Sequence, residues 1–269
     1  MSDKIYKKIK KYWNKQPCNI NHSKKKYLSK EYFDEVRKKK YFVEKHIFEF
    51  AKHENYKKKN ILEIGCGIGT DAAEFIKHGA NYIGIDFSEK SIEISKKRMD
   101  VLGLKKFKPK FFVDNCENPK NLFAHIKKSK IKFDLIYSFG VIHHTKNMKK
   151  AFSSIHKLSS KNTEIKIMLY AKNSYKNFLL DHTPYRFERQ KGCPVVYKVD
   201  NNDLKKILSN KFKIIDQYQD FIFPYKINLY KKGIYEKLPH FQLMPLKIFN
   251  VLQKNIGEHL MIRMKKNKS

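Results

Sequence analysis

Apolar residues in the N-terminal part of the chain recur at the three- and four-residue spacing of amphipathic helices. A long helix is predicted over residues 30–52, where only Lys40 interrupts the apolar face. A shorter, lysine-rich helix precedes it, and residues 14–29 between the two predict a polar loop. The apolar positions of the short helix are Ile5, Ile9, Tyr12 and Trp13. We therefore expect residues 1–56 to form an N-terminal helical cap.

Beyond Asn60, short buried strands alternate with amphipathic helices. Such alternation is typical of parallel strands joined by crossover helices, which is a doubly wound α/β sheet. The strands are predicted at 61–64, 82–86, 107–113, 133–139 and 164–170, and the helices between them at 70–78, 88–102, 119–128 and 148–155.

The C-terminal part has a different pattern, in which helical segments interrupt two further strands. The strands are predicted at 212–223 and 259–265, with a helix over 240–254 between them. This arrangement suggests an edge hairpin that makes the last strand antiparallel in a mostly parallel, seven-stranded sheet. We expect one domain over 57–269, with C-terminal helical insertions at about 171–200 and 224–256 that cap a substrate.

The charge is strongly positive, with 59 Lys and Arg against 26 Asp and Glu, a net +33. Only five of these basic residues are Arg, and Lys, Asn, Ile, Tyr and Phe share A/T-rich codons. Recognition of bases and phosphates favours the planar guanidinium of Arg over the solvated ammonium of Lys. Compositional bias therefore explains the charge better than a nucleic-acid surface does.

Several classes of protein are not expected from this sequence. No stretch approaches the roughly 20 apolar residues of a membrane-spanning helix, and the N-terminus lacks the apolar core of a signal peptide. The four cysteines form no C-x-x-C pair, so we expect reduced thiols, no metal site and a cytoplasmic protein. A peripheral membrane contact through the basic helix of residues 1–15 stays open, and the pattern does not specify an oligomeric state.

The segment ILEIGCGIGTD, residues 61–71, joins a predicted strand to a predicted helix. Glycines in such a turn let the backbone approach a ligand beside exposed helix amides. Asp86 ends the second strand, 21 residues after Gly65, where an acidic residue binds ribose hydroxyls. A dinucleotide is one candidate ligand. The G-x-G-x-G spacing and the adjacent Glu63 favour the other, the cationic S-adenosylmethionine, because a carboxylate repels a pyrophosphate.

These features resemble the class I S-adenosylmethionine-dependent methyltransferases over roughly residues 57–170, and the resemblance implies a Rossmann-like sheet. It also implies that the glycine motif lines the methionine part of the cofactor, that Asp86 holds the ribose, and that Phe87 and Asp114 contact the adenine. The implied cofactor-binding residues are Glu63, Gly65, Cys66, Gly67, Gly69, Asp86, Phe87, Asp114, Asn115, Ser138 and Phe139.

The loop SFGVIHHT (138–145) and the segment MLYAKNSY (168–175) resemble methyltransferases of quinone, lipid and secondary metabolism. The Asn/Asp-Pro-Pro-aromatic motif of enzymes that methylate base amines is absent after the fourth strand. We expect methyl transfer to an O or N atom of a small-molecule acceptor, a metabolite or a lipid-like compound. An RNA methyltransferase and a catalytically inactive cofactor-binding partner subunit are the alternatives.

His143 and His144 are the candidate catalytic bases, because imidazole titrates near neutrality. The alternative is that they cap the next helix or satisfy backbone carbonyls. Polar residues of the first insertion are candidate substrate contacts, and an Arg pair there could bind a carboxylate or phosphate. These candidates are Asn173, Tyr175, His182, Tyr185, Arg186 and Arg189.

Overall fold

A single seven-stranded sheet organises the chain, which a computed structural model describes over residues 2–183 and 192–267. The strands are β1 (Asn60–Ile64), β2 (Asn81–Asp86), β3 (Lys110–Val113), β4 (Leu135–Phe139), β5 (Glu164–Tyr170), β6 (Phe212–Asp220) and β7 (His259–Lys266). Their order in the sheet is β3-β2-β1-β4-β5-β7-β6, with β1 to β5 parallel and β7 antiparallel to both of its neighbours. The predicted Rossmann-like, mostly parallel sheet is thereby confirmed.

Helices precede the sheet, connect its strands and cover both of its faces. They are α1 (Ser2–Lys15), α2 (Lys30–Val43), α3 (His46–Ala51), α4 (Thr70–Lys77), α5 (Glu89–Val101), α6 (Lys120–Ser129), α7 (Met148–Leu158), α8 (Tyr175–His182), α9 (Asn201–Leu208), α10 (Ile227–Lys231), α11 (Pro239–Gln242) and α12 (Leu246–Ile256). Short 3-10 turns lie at His53–Tyr56, Lys105–Phe107, Ile142–His144 and Ser209–Lys211. Among the described residues, no helix is long and apolar enough to cross a membrane.

The central strands are buried on both faces, as parallel strands between helical layers are. Successive side chains of a strand point to opposite faces, so β1 contributes Leu62 and Ile64 to one core cluster and Ile61 to the other. On β4, Ile136 joins the first cluster and Tyr137 the second. This double packing holds the carboxyl ends of the strands in place, and the loops that follow them build the site.

Two predicted helices are each divided in the structure. The helix predicted over 30–52 is α2 and α3, because Glu44 leaves helical geometry with φ −121° and ψ 60°. The helix predicted over 240–254 is α11 and α12, because Pro245 has no N–H to continue a helix and instead precedes the first residue of α12. The break after α2 matters for function, since it places Glu44 and His46 near β7.

The first helix docks on its own domain. Ile9 is 5% exposed, and the amide of Asn14 donates to a Glu89 carboxylate oxygen over 2.7 Å. Lys10 forms an ion pair with the same carboxylate. The helix thus lies along the N-terminal end of α5, where the strands present their carboxyl ends.

Candidate active site

A cavity of about 720 Å³ lies beyond the carboxyl ends of the strands. Its wall includes Ile64 at the end of β1, Asp86 at the end of β2, Phe139 at the end of β4 and Tyr170 at the end of β5. His259, at the start of the antiparallel β7, completes that row. This is where a doubly wound sheet opens its ligand crevice.

The three motif glycines have different surroundings, although all have positive φ. A Cβ on Gly65 would lie 2.3 Å from a methyl carbon of Val141, and a Cβ on Gly69 would lie 2.9 Å from the Ser95 hydroxyl. A Cβ on Gly67 would meet no protein atom within 4 Å, and Gly67 lines the cavity. Gly69 therefore serves turn geometry and close packing, and Gly65 combines close packing with a place in the cavity wall. Gly67 leaves open backbone toward a ligand.

The Asp86 carboxylate is held by the glycine loop and by the start of α5. One oxygen accepts from the Gly67 amide at 2.9 Å and the other from the Ser88 amide at 2.8 Å. Burial raises the pKa of Asp86 to about 6, while these amides act in the opposite direction. Phe87 also lines the cavity, with its ring centroid 6.4 Å from that of Tyr6 on α1. The carboxylate is thus pre-positioned, with lone pairs left for ribose hydroxyls.

Asp114 and Asn115 follow β3 and also line the cavity. Asp114 accepts from the Leu122 amide at 2.8 Å, and the Asn115 side-chain oxygen accepts from the Glu117 amide at 3.0 Å. Burial raises the pKa of Asp114. These bonds fix the loop for which the family resemblance implies adenine recognition.

Two buried acidic side chains, Glu63 and Asp71, lie beside the glycine motif and line the cavity. Glu63 is 4% exposed and accepts from the Tyr82 hydroxyl at 2.5 Å. Burial and the nearby Asp71 carboxylate raise the pKa of Glu63. Burial opposes ionisation of Asp71 as well, yet the ion pair with Lys40 at 2.7 Å holds its pKa below the ordinary value. Lys40 therefore balances the ionised Asp71, whereas the pKa of Glu63, raised to about 8, keeps that group protonated at pH 7. A cationic ligand beside Glu63 would favour its ionised form.

The two candidate histidines have different positions. His144 lines the cavity, and its Nδ1 lies 2.8 Å from the Val195 carbonyl oxygen. A carbonyl only accepts, so Nδ1 carries the proton and Nε2 a lone pair. Burial lowers the pKa of His144 to about 4, so the ring is neutral at pH 7. His143 is fully buried outside the cavity wall, with its ring 3.9 Å from that of Tyr170.

Other predicted site residues are only partly brought together. Cys66 and Phe139 line the cavity, but the Ser138 hydroxyl is buried and donates to the Ile64 carbonyl at 3.0 Å, where it joins β4 to β1. Three candidate substrate contacts, Asn173, Tyr175 and His182, lie away from the wall, and Tyr185, Arg186 and Arg189 lie outside the described residues.

The insertion contributes different side chains from those predicted. Lys176 and Asn177 of α8 line the cavity, and Lys176 pairs with Glu258 at 2.6 Å. The Asn177 amide donates to the Ala171 carbonyl at 2.7 Å, which fixes α8 against the end of β5. Val196 and Lys198 also line the cavity, so four described residues of the first insertion reach the site.

A buried polar cluster of Glu44, His46 and His259 beside the start of β7 was also missed by sequence reasoning. His259 Nδ1 lies 2.8 Å from His46 Nε2, and its Nε2 lies 3.8 Å from a Glu44 carboxylate oxygen. Burial raises the pKa of Glu44 to about 7, with Lys40 acting against it. Lys40, which interrupts the apolar face of α2, was the only local signal of this group.

Replacing Asp86 with Ala is expected to weaken cofactor binding by about 1.5–3 kcal/mol, the range for a hydrogen bond to a charged group. Calorimetry with S-adenosylhomocysteine measures the loss. The matched control is Asp134→Ala, because Asp134 also accepts from a backbone amide, that of Asn60 at 2.8 Å, but lies outside the cavity wall. Equal affinities of the Asp86 variant and the wild type would contradict the ribose assignment.

Cofactor affinity is expected to fall as the pH drops through about 6, the raised pKa of Asp86. Above that pH the carboxylate is ionised and accepts from hydroxyl donors, and below it the group is protonated and loses that capacity. Calorimetry between about pH 5 and pH 8 tests this window around the group's shifted value. Asp86→Asn should bind more weakly with a flatter profile, and an identical pH dependence in both proteins would assign the titration to another group.

The comparisons with known proteins agree with this geometry. Residues 33–210 match a family described as a methyltransferase domain. An uncharacterized protein of Haemophilus influenzae is 34% identical over 113 residues, which are 41% of this chain and 42% of that protein. The chain thus spans less than half of that relative. The ubiquinone biosynthesis O-methyltransferase of Pelagibacter ubique is 28% identical over 175 residues, 60% of this chain and 68% of that protein.

Solved structures share the fold over nearly the whole chain. An S-adenosylmethionine-dependent methyltransferase of Anabaena variabilis superposes with a TM-score of 0.60 at 14% identity, covering 98% of this chain and 95% of that one. The magnesium protoporphyrin IX methyltransferase of Synechocystis, crystallised with bound S-adenosylmethionine, gives 0.57 at 13% identity, covering 98% and 97%. At such identities the likeness establishes the fold.

Proposed function

This chain belongs to the methyltransferase-domain family, among the class I S-adenosylmethionine-dependent enzymes, and we propose that it methylates an O or N atom of a small metabolite or lipid-like acceptor. The cofactor, when bound, supplies an activated methyl group on its sulfonium. The chain's own residues then have to align the acceptor, exclude water and remove a proton.

One observation carries the choice of a small acceptor: the cofactor end and the acceptor end belong to a single roofed cavity. Gly67 and Asp86 line one end of it, and Tyr170 and His259 the other. Helix α8 also contributes to its wall, as do three residues of the second insertion, Tyr230, Lys232 and Gly233. A volume of about 720 Å³ lies within the roughly 300–1,000 Å³ typical of small-molecule sites. A roofed cavity of this size suits a metabolite or a lipid head better than an RNA duplex.

The acceptor end favours a molecule with an apolar, ring-like part and a polar substituent. Aromatic side chains line it, and the charged pair of Lys176 and Glu258 lies on the same wall. The aromatic lining residues are Tyr170, Phe221, Phe223 and Tyr230. The name of the Pelagibacter relative, an O-methyltransferase of ubiquinone biosynthesis, is in keeping with an oxygen acceptor.

His144 is the base that this proposal assigns to a hydroxyl acceptor. The Val195 carbonyl fixes the tautomer in which Nε2 has a lone pair, and the neutral ring can take a proton at that atom. His143, behind Tyr170, positions the neighbouring rings in this proposal and has no access to an acceptor.

The test is incubation with methyl-labelled cofactor and a fractionated metabolite extract, followed by mass spectrometry of the labelled products. We expect label in a small-molecule or lipid fraction, and much less of it at subsaturating cofactor when Asp86→Ala replaces the wild type. Label confined to RNA would support the RNA methyltransferase alternative instead. Cofactor binding without label in any fraction would support a partner subunit that lacks acceptor chemistry.

A further inference from the structure

Helix α1 lies outside the matched residues 33–210, yet it forms part of the cavity wall. It contributes four residues, whose three- and four-residue spacing places them on one face of the helix. These are Tyr6, Ile9, Tyr12 and Trp13. The apolar face that the sequence predicted for this helix is thus directed toward the ligand site.

The C-terminal half of α1 lies between the cofactor end and His144. The Trp13 ring centroid is 5.2 Å from that of His144, in an edge-to-face arrangement. The Trp13 carbonyl accepts from the Ser88 hydroxyl at 3.3 Å, and the Asn14 side-chain oxygen accepts from the same hydroxyl at 2.7 Å. Because Ser88 also donates its amide to Asp86, Trp13 is attached directly beside the proposed ribose site.

The N-terminal half of α1 is attached near the adenine end. The Tyr6 hydroxyl donates to Glu117 at 2.7 Å, and the second Glu117 oxygen accepts from the Asn147 amide at 3.2 Å. Glu117 is 7% exposed and follows Asn115 in the loop after β3. The Tyr6 and Phe87 rings pack edge to face, with their centroids 6.4 Å apart. The helix is therefore held at both ends of the cofactor half of the cavity.

We propose that α1 is a ligand-contacting wall of the site, in which Trp13 packs on the bound cofactor between its ribose and the transferred methyl, while the bond from Tyr6 to Glu117 holds the helix in place. This proposal rests on the cofactor position proposed above. It assigns the lysine-rich N-terminal helix to the enzyme's own site, and membrane association is an outcome that the test below distinguishes.

The unmodified protein provides the first test, because Trp13 is the sole tryptophan of the chain. Titration with S-adenosylhomocysteine should change Trp13 fluorescence and reduce its quenching by acrylamide, with a midpoint equal to the dissociation constant from calorimetry. Calorimetric binding with unchanged emission and quenching would overturn the role of Trp13. Absence of any calorimetric binding would instead refute the proposed cofactor site itself.

Variants then separate ligand contact from simple docking. Trp13→Ala should weaken S-adenosylhomocysteine binding about tenfold, whereas Trp13→Phe should recover most of the affinity because an aromatic face remains. Tyr6→Phe removes only the hydroxyl that bonds to Glu117 and should weaken binding severalfold. Lys11→Ala is the matched control, since Lys11 is exposed on the same helix. It should bind like the wild type.

Two further measurements test the alternatives, the melting temperature of each variant and the response of Trp13 fluorescence to anionic vesicles. A Trp13→Ala variant that loses thermal stability but keeps wild-type affinity would show that α1 only docks on the domain. Trp13 fluorescence that responds to phosphatidylserine vesicles and not to S-adenosylhomocysteine would show that the helix faces a membrane. Either result overturns the proposal.

Discussion

Gly67→Val is expected to abolish cofactor binding while the sheet stays folded. The Gly67 backbone lines the cavity, and a Cβ there would meet no protein atom within 4 Å, so the added side chain would occupy ligand space. The valine must also adopt φ near +52°, which L-residues avoid. Calorimetry with S-adenosylhomocysteine should show no measurable heat of binding, and circular dichroism should show an unchanged sheet signal.

Gly103→Val is the matched control for the strain of positive φ. Gly103 has φ +67°, a Cβ on it would also meet nothing within 4 Å, and it lies outside the cavity wall. This variant should lose a similar amount of stability and keep its affinity. If both variants bind the cofactor equally well, the glycine motif serves only the turn and the ligand lies elsewhere.

His144→Gln is expected to lower turnover by ~10²–10⁴, the usual contribution of a general base, while cofactor affinity holds. Glutamine can still donate to the Val195 carbonyl, but it offers no lone pair that takes a proton at neutral pH. Single-turnover rates with the acceptor identified by labelling would measure the loss, and calorimetry would confirm that the cofactor still binds.

The matched variant is His143→Gln. His143 is fully buried outside the cavity wall, so this change should lower the melting temperature, through lost ring packing on Tyr170, more than it alters the chemical step. Equal losses of turnover in the two variants would indicate a shared structural role. Unchanged turnover in both would mean that alignment of the reactants alone drives the transfer.

The sequence determined those features whose physical cause lies within a short stretch of chain. Alternation of buried strands with amphipathic helices predicted the doubly wound sheet, and the helix predicted over 88–102 is α5, with Ser88 as its N-cap. The positions of the glycine turn and of Asp86 could be predicted because the turn follows the end of β1 and Asp86 is the last residue of β2. It was harder to predict which side chains reach the cavity. Ser138 and Phe139, for example, are neighbours on β4 and point to opposite faces of the sheet, and only Phe139 lines the cavity.

Only the tertiary structure decided which residues from distant parts of the chain meet at the cavity. His46 meets His259 across 213 positions of the chain, and Tyr6 meets Glu117 across 111. Such pairs depend on how α1, the break after α2 and the antiparallel β7 pack on the sheet, and none of them leaves a periodic pattern in the sequence. Periodicity reports which side of an element is buried, whereas a site depends on which elements face each other, and that is decided by packing of the whole chain.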